Sequence, residues 1–270
     1  MFQHVVVPID DSDASWRAVS IAARYAAAVD GKLDVITVVD RLSEVEPELQ
    51  SLRAGLERLA PLAVEPTAEV LAHDSIAAAI AAHVEALNGA IVVMSSHGHG
   101  RSASVLGSTT DDVLRELYGP VIVVGPHVTD DVGRLDGSYV VPLDGSDLAE
   151  TILPIVTAWS VEFDGAPWLL EIIDPDTPTP SDMQDSAYVA RRAREMHRST
   201  GRDVQFEALH HAHPARSITD FADKEQASLV FATTHGRSGM ARLRSGSVTA
   251  EVVRHAHCPV VLYRPPALVD

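Results

Sequence analysis

The sequence predicts an α/β protein of two tandem doubly wound domains, each with a mainly parallel sheet. Three observations lead there. Strand-sized apolar runs alternate with helix-patterned segments, which suits parallel strands covered by helices on both faces. The order of motifs occurs twice within 270 residues, the mark of an internal duplication. Each copy also places a glycine-containing loop between an apolar strand and the start of a helix, an arrangement that offers backbone N–H groups to an anion.

The duplication fixes the domain organisation. His97 and His235 are 138 residues apart, as are Gly98 and Gly236. Gly107 and Gly246, Ser108 and Ser247, and Pro120 and Pro259 are each 139 apart. Nearer the start of each copy the offset is 134, for Asp10 and Asp144, Ser12 and Ser146, Gly31 and Gly165, and Asp40 and Asp174. The difference predicts an insertion in the second copy, and Pro175–Pro180 is the place for it as a stiff exposed loop. The expected domains are residues 1–127 and 137–270, joined by a polar connector over Pro126–Asp136.

In chain order, Val5–Ile9 reads as a strand ending at Asp10. Ser12 or Asp13 caps a helix that turns Trp16, Val19, Ala23 and Ala27 to the sheet and stops at Gly31. Leu33–Val39 is the second strand, followed by a helix near Glu48–Leu59 and a strand near Thr67–Leu71. Ser75 caps an alanine-rich helix through Leu87, and Ala90–Met94 is the next strand. Gly107–Thr109 then leads into a helix over Asp111–Leu117 and a last strand at Pro120–Val124. The second copy repeats this with strands at Tyr139–Asp144, Val204–Leu209, Ser228–Ala232 and Pro259–Tyr263, and helices at Ala187–Ser199, Ser217–Glu225 and Val248–Arg254. Pro154 falls within its first helix and should kink it.

Composition excludes several functions. A net charge of −17 repels nucleic acid and anionic membrane. The longest apolar runs are strand-sized, so no transmembrane helix is expected. The N-terminus shows no secretory pattern, and a cytoplasmic protein is expected. The single cysteine, Cys258, cannot form an intramolecular disulfide or a cysteine-rich zinc site. The only lysines, Lys32 and Lys224, lie outside any Gly-Lys-Ser/Thr pattern, which rules out a Walker-type phosphate loop. His210, His211 and His213 have no carboxylate or cysteine partner at ligand spacing and read as solvated strand-end residues. No zinc-hydrolase or serine-hydrolase signature is present. The sequence reads as a binder rather than a catalyst.

In an open α/β sheet the ligand sits outside the carboxyl ends of the strands, where strand order reverses. Asp10, Val38, Met94 and Gly98 fall at such ends, as do Asp144, Ile172, Ala232 and Gly236. An aspartate after the first strand suits a ribose hydroxyl or an adenine edge; it equally suits the turn that starts a helix. His97 and His235 either touch a phosphate or orient the loop, and orientation is the favoured role.

These features resemble the universal stress protein family in its tandem form, over essentially the whole chain. The resemblance rests on Val7–Asp10 with Ser12, Val141–Ser146, the strands ending at Asp40 and Asp174, the two Ser/Thr-His-Gly loops with their Gly-Ser pairs, and the two Pro-Val final strands. It implies a five-stranded parallel domain of the adenine-nucleotide α-hydrolase-like type, a role in stress survival or dormancy, and dimers paired through the last strand. In that setting Val121–Val124 and Val260–Tyr263 are candidates to pair with each other, as an intramolecular pseudo-dimer, or to form a homodimer.

The resemblance also implies ATP binding, with or without Mg2+, through a Gly-x-x-Gly, nine-residue, Gly-Ser/Thr pattern. Carried over, the second-half candidates are Pro142, Leu143 and Asp144 for base and ribose, Ile172 and Ala232 around adenine, and Gly236, Gly246, Ser247 and Val248 for phosphates, with Thr233 also in the set. The first-half set is Pro8, Ile9, Asp10, Val38, Met94, Gly98, Gly107, Ser108 and Thr109. Both halves depart from the pattern at its first glycine, replaced by Ser95 and Thr233. Nine residues separate Gly236 from Gly246 but eight separate Gly98 from Gly107, so the second half is ranked the better site. The expected function is an adenine-nucleotide-binding stress regulator with at most slow ATP hydrolysis. The alternative is a nucleotide-free interaction module with vestigial pockets and protein partners of unknown identity. An adenylating enzyme of the same fold ranks third, for want of room for a substrate domain.

Overall fold

A computed structural model describes residues 2–59, 61–87, 89–98, 107–129, 132, 134–175, 187–234 and 248–265. The first half runs β1 (His4–Pro8), α1 (Asp13–Ala28), β2 (Lys32–Val39), α2 (Val45–Arg58), β3 (Pro66–Ala72), α3 (Ile76–Ala86), β4 (Ala90–Ser95), α4 (Ser108–Glu116) and β5 (Pro120–Val124). The second half runs β6 (Ser138–Leu143), α5 (Asp147–Glu150), α6 (Leu153–Glu162), β7 (Ala166–Ile173), α7 (Ala187–Thr200), β8 (Gln205–His210), α8 (Pro214–Lys224), β9 (Leu229–Thr233), α9 (Val248–His255) and β10 (Val260–Tyr263).

Among the described residues ten strands form one sheet in the order β3-β2-β1-β4-β5-β10-β9-β6-β7-β8. Within each half every pairing is parallel. The halves join antiparallel through β5 and β10, with Val123 opposite Val260 and Val121 opposite Leu262. The two final strands thus cover each other's edges, which removes two unpaired ladders from solvent.

Strand pleating sends alternate residues to opposite faces. Val5 and Val7 join a core with α1, Trp159 and Phe231, whereas Val6 joins Ile80, Leu114, Phe221 and Val253 on the other face. Each core draws residues from both halves. Helices α1 and α6 therefore cover one face and α3, α4, α8 and α9 the other, the doubly wound arrangement.

Helix boundaries follow local chemistry. Ser12, Ser75 and Ser146 cap α1, α3 and α5 by accepting the backbone N–H of Ser15, Ala78 and Ala149. Pro154 breaks rather than kinks the second half's first helix: α5 ends at Glu150 and α6 begins anew with proline in its first turn. Helix α8 starts at Pro214, three residues before the expected Ser217, again with proline in the first turn.

Two sequence expectations are corrected. Ala27 is exposed and Trp16 is only half-buried, lying over Gly55 of α2, whereas Val19 and Ala23 are buried as expected, together with Ser15, Ala18, Ile21, Ala22, Tyr25 and Ala26. The left-handed residue that ends α1 is Asp30, with φ 51°, not Gly31. Aspartate tolerates that region better than most residues. Gly31 is needed instead because a Cβ there would lie 3.0 Å from the Gln3 carbonyl oxygen. Of the proposed insertion loop, residues 176–180 lie outside the described residues.

Candidate functional site

The chain moves outward from β1 through β2 to β3, then returns to place β4 on the other side of β1. That reversal leaves a crevice above the carboxyl ends of β1 and β4. A cavity of about 190 Å³ occupies it. Pro8, Ile9 and Asp10 line it from the end of β1, Thr37 and Val38 from β2, and Met94 and Ser95 from β4. His97, Gly98, Gly107, Ser108, Thr109 and Thr110 line the side where the loop runs into α4, and Ser15 and Ile76 complete the wall. Every first-half candidate named from the sequence lines this one cavity.

Asp10 serves the turn at the start of α1 and also lines the pocket. Its Oδ1 accepts from the Ser12 hydroxyl at 2.6 Å and from the Ser12 amide at 3.2 Å. The Ser12 hydroxyl in turn accepts from the Ser15 amide at 3.2 Å. This network fixes the carboxylate at the mouth of the crevice. A Cβ on Gly98 would run into its Oδ2, so any larger residue there has to displace this carboxylate. Glycine at 98 thus lets the Asp10 carboxylate keep its place.

The opposite wall is the start of α4. Its N-cap is Gly107, which has no side chain to satisfy the first-turn N–H groups. The Gly107 amide donates to the Ser96 carbonyl at 2.7 Å, and the helix opens with the Asp111 amide donating to Gly107 at 3.0 Å. The Thr110 hydroxyl turns inward to the Ser95 carbonyl at 3.0 Å. What remains at the helix start is a glycine-shaped concavity with backbone donors, the chemistry that binds phosphate or carboxylate. His97 Nδ1 lies 3.0 Å from the Ser96 hydroxyl, so the imidazole is held by the loop while lining the pocket.

The second-half set is arranged along the equivalent strand ends. Pro142 and Leu143 end β6 with Asp144 just beyond, Ile172 lies near the end of β7, Ala232 and Thr233 end β9, and Val248 opens α9. Asp144 repeats the turn of Asp10, accepting from the Ser146 hydroxyl at 2.6 Å and its amide at 3.0 Å. His235, Gly236, Gly246 and Ser247 lie outside the described residues.

Among the described residues no group of three or more His, Cys, Asp or Glu side chains is placed to hold a metal ion. His210, His211 and His213 are exposed, and the His213 amide donates to His211 Nδ1 at 3.0 Å. No described helix is long and apolar enough to cross a membrane.

The sequence reading passed over Ser15, Thr37, Ile76 and Thr110. Thr37 and Thr110 are neighbours of motif residues, and their hydroxyls satisfy the Ile9 and Ser95 carbonyls inside the wall. Ile76 carried a usable signal: a large aliphatic residue at the first position of a helix, left 46% exposed beside the crevice.

Comparison with known proteins settles the family. The sequence model of the universal stress protein family matches residues 1–125 and 139–264. The chain belongs to the universal stress protein family. A universal stress protein of Mycolicibacterium smegmatis is 27% identical over 298 residues, covering 97% of both chains. A universal stress protein of Methanocaldococcus jannaschii is 27% identical over 139 residues, covering 47% of this chain and 81% of the relative. Among solved structures, a universal stress protein from Archaeoglobus fulgidus covers 98% of this chain with a TM-score of 0.68 and 18% identity, a likeness of fold. The family model matches the chain twice, once in each half, which is a tandem arrangement.

Proposed function

We propose that this universal stress protein binds ATP or a related adenine nucleotide at the strand ends of at least one half. It acts as a regulator of stress response or dormancy, not as a catalyst. The observation that carries the reading is the convergence of Asp10, Val38, Met94, Gly98, Gly107 and Ser108 on one crevice beside the glycine-capped start of α4. The residues fit such a ligand. Ile9, Val38 and Met94 offer apolar walls to a purine, Asp10 offers a carboxylate to ribose hydroxyls, and the Ser108–Thr109 backbone at the start of α4 offers N–H groups to a phosphate. The described residues lining the crevice include no lysine, which suits slow turnover at most.

The domain assignment to residues 1–127 and 137–270, a cytoplasmic location and unidentified protein partners belong to the same proposal. The β5–β10 pairing lets one chain supply both members of a family-type pair, so a bound nucleotide would act on the pseudo-dimer from within. The rival reading, a nucleotide-free interaction module, draws on the Asp10–Ser12 and Asp144–Ser146 turns, which give both aspartates a structural role without any ligand.

Mass spectrometry of small molecules released by denaturing freshly purified protein, with ATP calorimetry beside it, tests the choice. An adenine nucleotide released, or heat that Gly107→Asp or Gly246→Asp removes, supports binding and identifies the half. Neither release nor heat would leave the interaction module as the function.

A further inference from the structure

We propose that the two halves are coupled through a clamp. Arg264 of the second half grips the far end of α4, so that occupancy at the start of α4 in the first half and order at the carboxyl end of β9 in the second rise and fall together. The identity of the ligand rests on the adenine-nucleotide reading above; the clamp does not.

The crossing follows from the sheet. Each half runs its last helix into its last strand, α4 into β5 and α9 into β10. Because these strands pair antiparallel, with Tyr263 opposite Pro120, the end of β10 arrives where α4 stops. The next residue, Arg264, is nearly buried, and its guanidinium donates to the Leu114 and Arg115 carbonyls. Hydrogen bonds from a charged group at the negative end of a helix are among the stronger ones. The reverse crossing brings Gly125, just after β5, onto the Val253 carbonyl of α9, a contact made by packing.

Both contacts are tied to strand ends. In the second half the Thr234 amide donates to the Tyr263 carbonyl at 2.8 Å, next to Arg264. In the first half the Ser96 amide donates to the Val124 carbonyl at 2.9 Å, next to Gly125. The Ser96 carbonyl accepts from the Gly107 amide at the start of α4 at 2.7 Å. Described contacts thus join Thr234 to the first-half strand end through Tyr263, Arg264 and α4.

Helix length turns this series into a device with two states. α4 has nine residues, and helices shorter than about 12 residues are marginal on their own. Its first turn, which carries Ser108 and Thr109 beside the crevice, keeps its shape only while its last turn is held. A ligand that orders the first turn strengthens the grip of Arg264. By linkage, order at the Arg264 end favours the ligand by the same free energy.

Hydrogen exchange of the full chain tests this in wild type, Arg264→Lys and Arg264→Ala. Each is measured without ligand, with AMP and with ATP-Mg2+, after circular dichroism confirms the fold. The ligand arms carry Gly246→Asp, so that second-half binding does not protect Thr234 directly. Without ligand, Arg264→Ala should speed exchange of α4 amides by about tenfold, Gly107 and Asp111 included, while α3 stays as in wild type. Arg264→Lys, which keeps a charged donor, should fall between. With ligand, protection should reach α4, Thr234 and β10 when Arg264 is present, and stop at α4 in Arg264→Ala. Unchanged α4 exchange in ligand-free Arg264→Ala would overturn the clamp. Ligand protection confined to α4 with Arg264 present would overturn the coupling and leave the nucleotide reading standing. Ligand that alters exchange nowhere would overturn occupancy of the first half and the coupling with it.

Discussion

Arg264 and Gly125 occupy equivalent places just beyond β10 and β5, 139 residues apart, and each meets a helix of the opposite half. Arg264 is nearly buried and donates to the Leu114 carbonyl at 3.4 Å and to the Arg115 carbonyl in the last turn of α4. A cation at that end answers the helix dipole and the orphan carbonyls. Gly125 instead lies so close to the Val253 carbonyl of α9 that no Cβ fits. Leu114 and Val253 are themselves 139 apart, so the two contacts are related by the duplication and differ in chemistry.

That asymmetry predicts different costs at one junction. Gly125→Ala forces a methyl group onto a backbone oxygen and should destabilise by about 1–3 kcal/mol. Arg264→Ala leaves helix carbonyls without a charged donor and should cost about 2 kcal/mol. Urea unfolding of both variants measures this. Two near-neutral substitutions would show that the junction is not packed as described.

The capping serines separate stability from binding. Ser12→Ala and Ser146→Ala each remove a hydroxyl that accepts a helix N–H and donates to an aspartate. Each should cost roughly 1 kcal/mol. Ser12→Ala should also weaken adenine-nucleotide binding in the first half, because it releases the pocket carboxylate of Asp10. Thermal melts with and without AMP distinguish the two effects, and an unchanged ligand-induced shift in Ser12→Ala would argue against Asp10 as a ligand contact.

Much of this was legible in the sequence, for reasons that particular residues show. Ser12, Ser75 and Ser146 announce helix starts because a short hydroxyl before an apolar-periodic stretch has few other uses. The duplication made the β5–β10 pairing readable, since two copies of one edge strand in a single chain can cover each other. Ala27 misled because successive four-residue steps drift off a turn of about 3.6 residues, so that after Val19 and Ala23 the core face is continued by Ala26 and not Ala27. Gly31 misled because Asp30 adopts the left-handed turn that glycine usually takes. Thr37 and Thr110 escaped notice because the crevice is assembled from segments far apart in sequence, and no local period records which neighbours of a motif residue face it.

Cys258 should be chemically silent in the folded protein. Burial, and to a smaller degree the Asp223 carboxylate, pushes its thiol from 9.0 up to about 12. Between those values the unfolded chain has lost a proton that the folded chain keeps. Stability from this group is therefore complete below about pH 9 and declines as pH rises toward 12. Burial raises Tyr25 as well, which deepens the alkaline loss. Urea midpoints should fall from pH 8.5 to about 10.5, less steeply in Cys258→Ala, and a thiol reagent at pH 8 should react only on unfolding. Rapid modification of native protein would contradict the burial of this strand end.

A crystal structure of the full chain grown with saturating AMP tests the central claim most directly. The account predicts a purine in the crevice between the ends of β1 and β4, against Val38 and Met94, with its phosphate at the start of α4. Nucleotide absent from the strand ends of both halves at saturating concentration would contradict it.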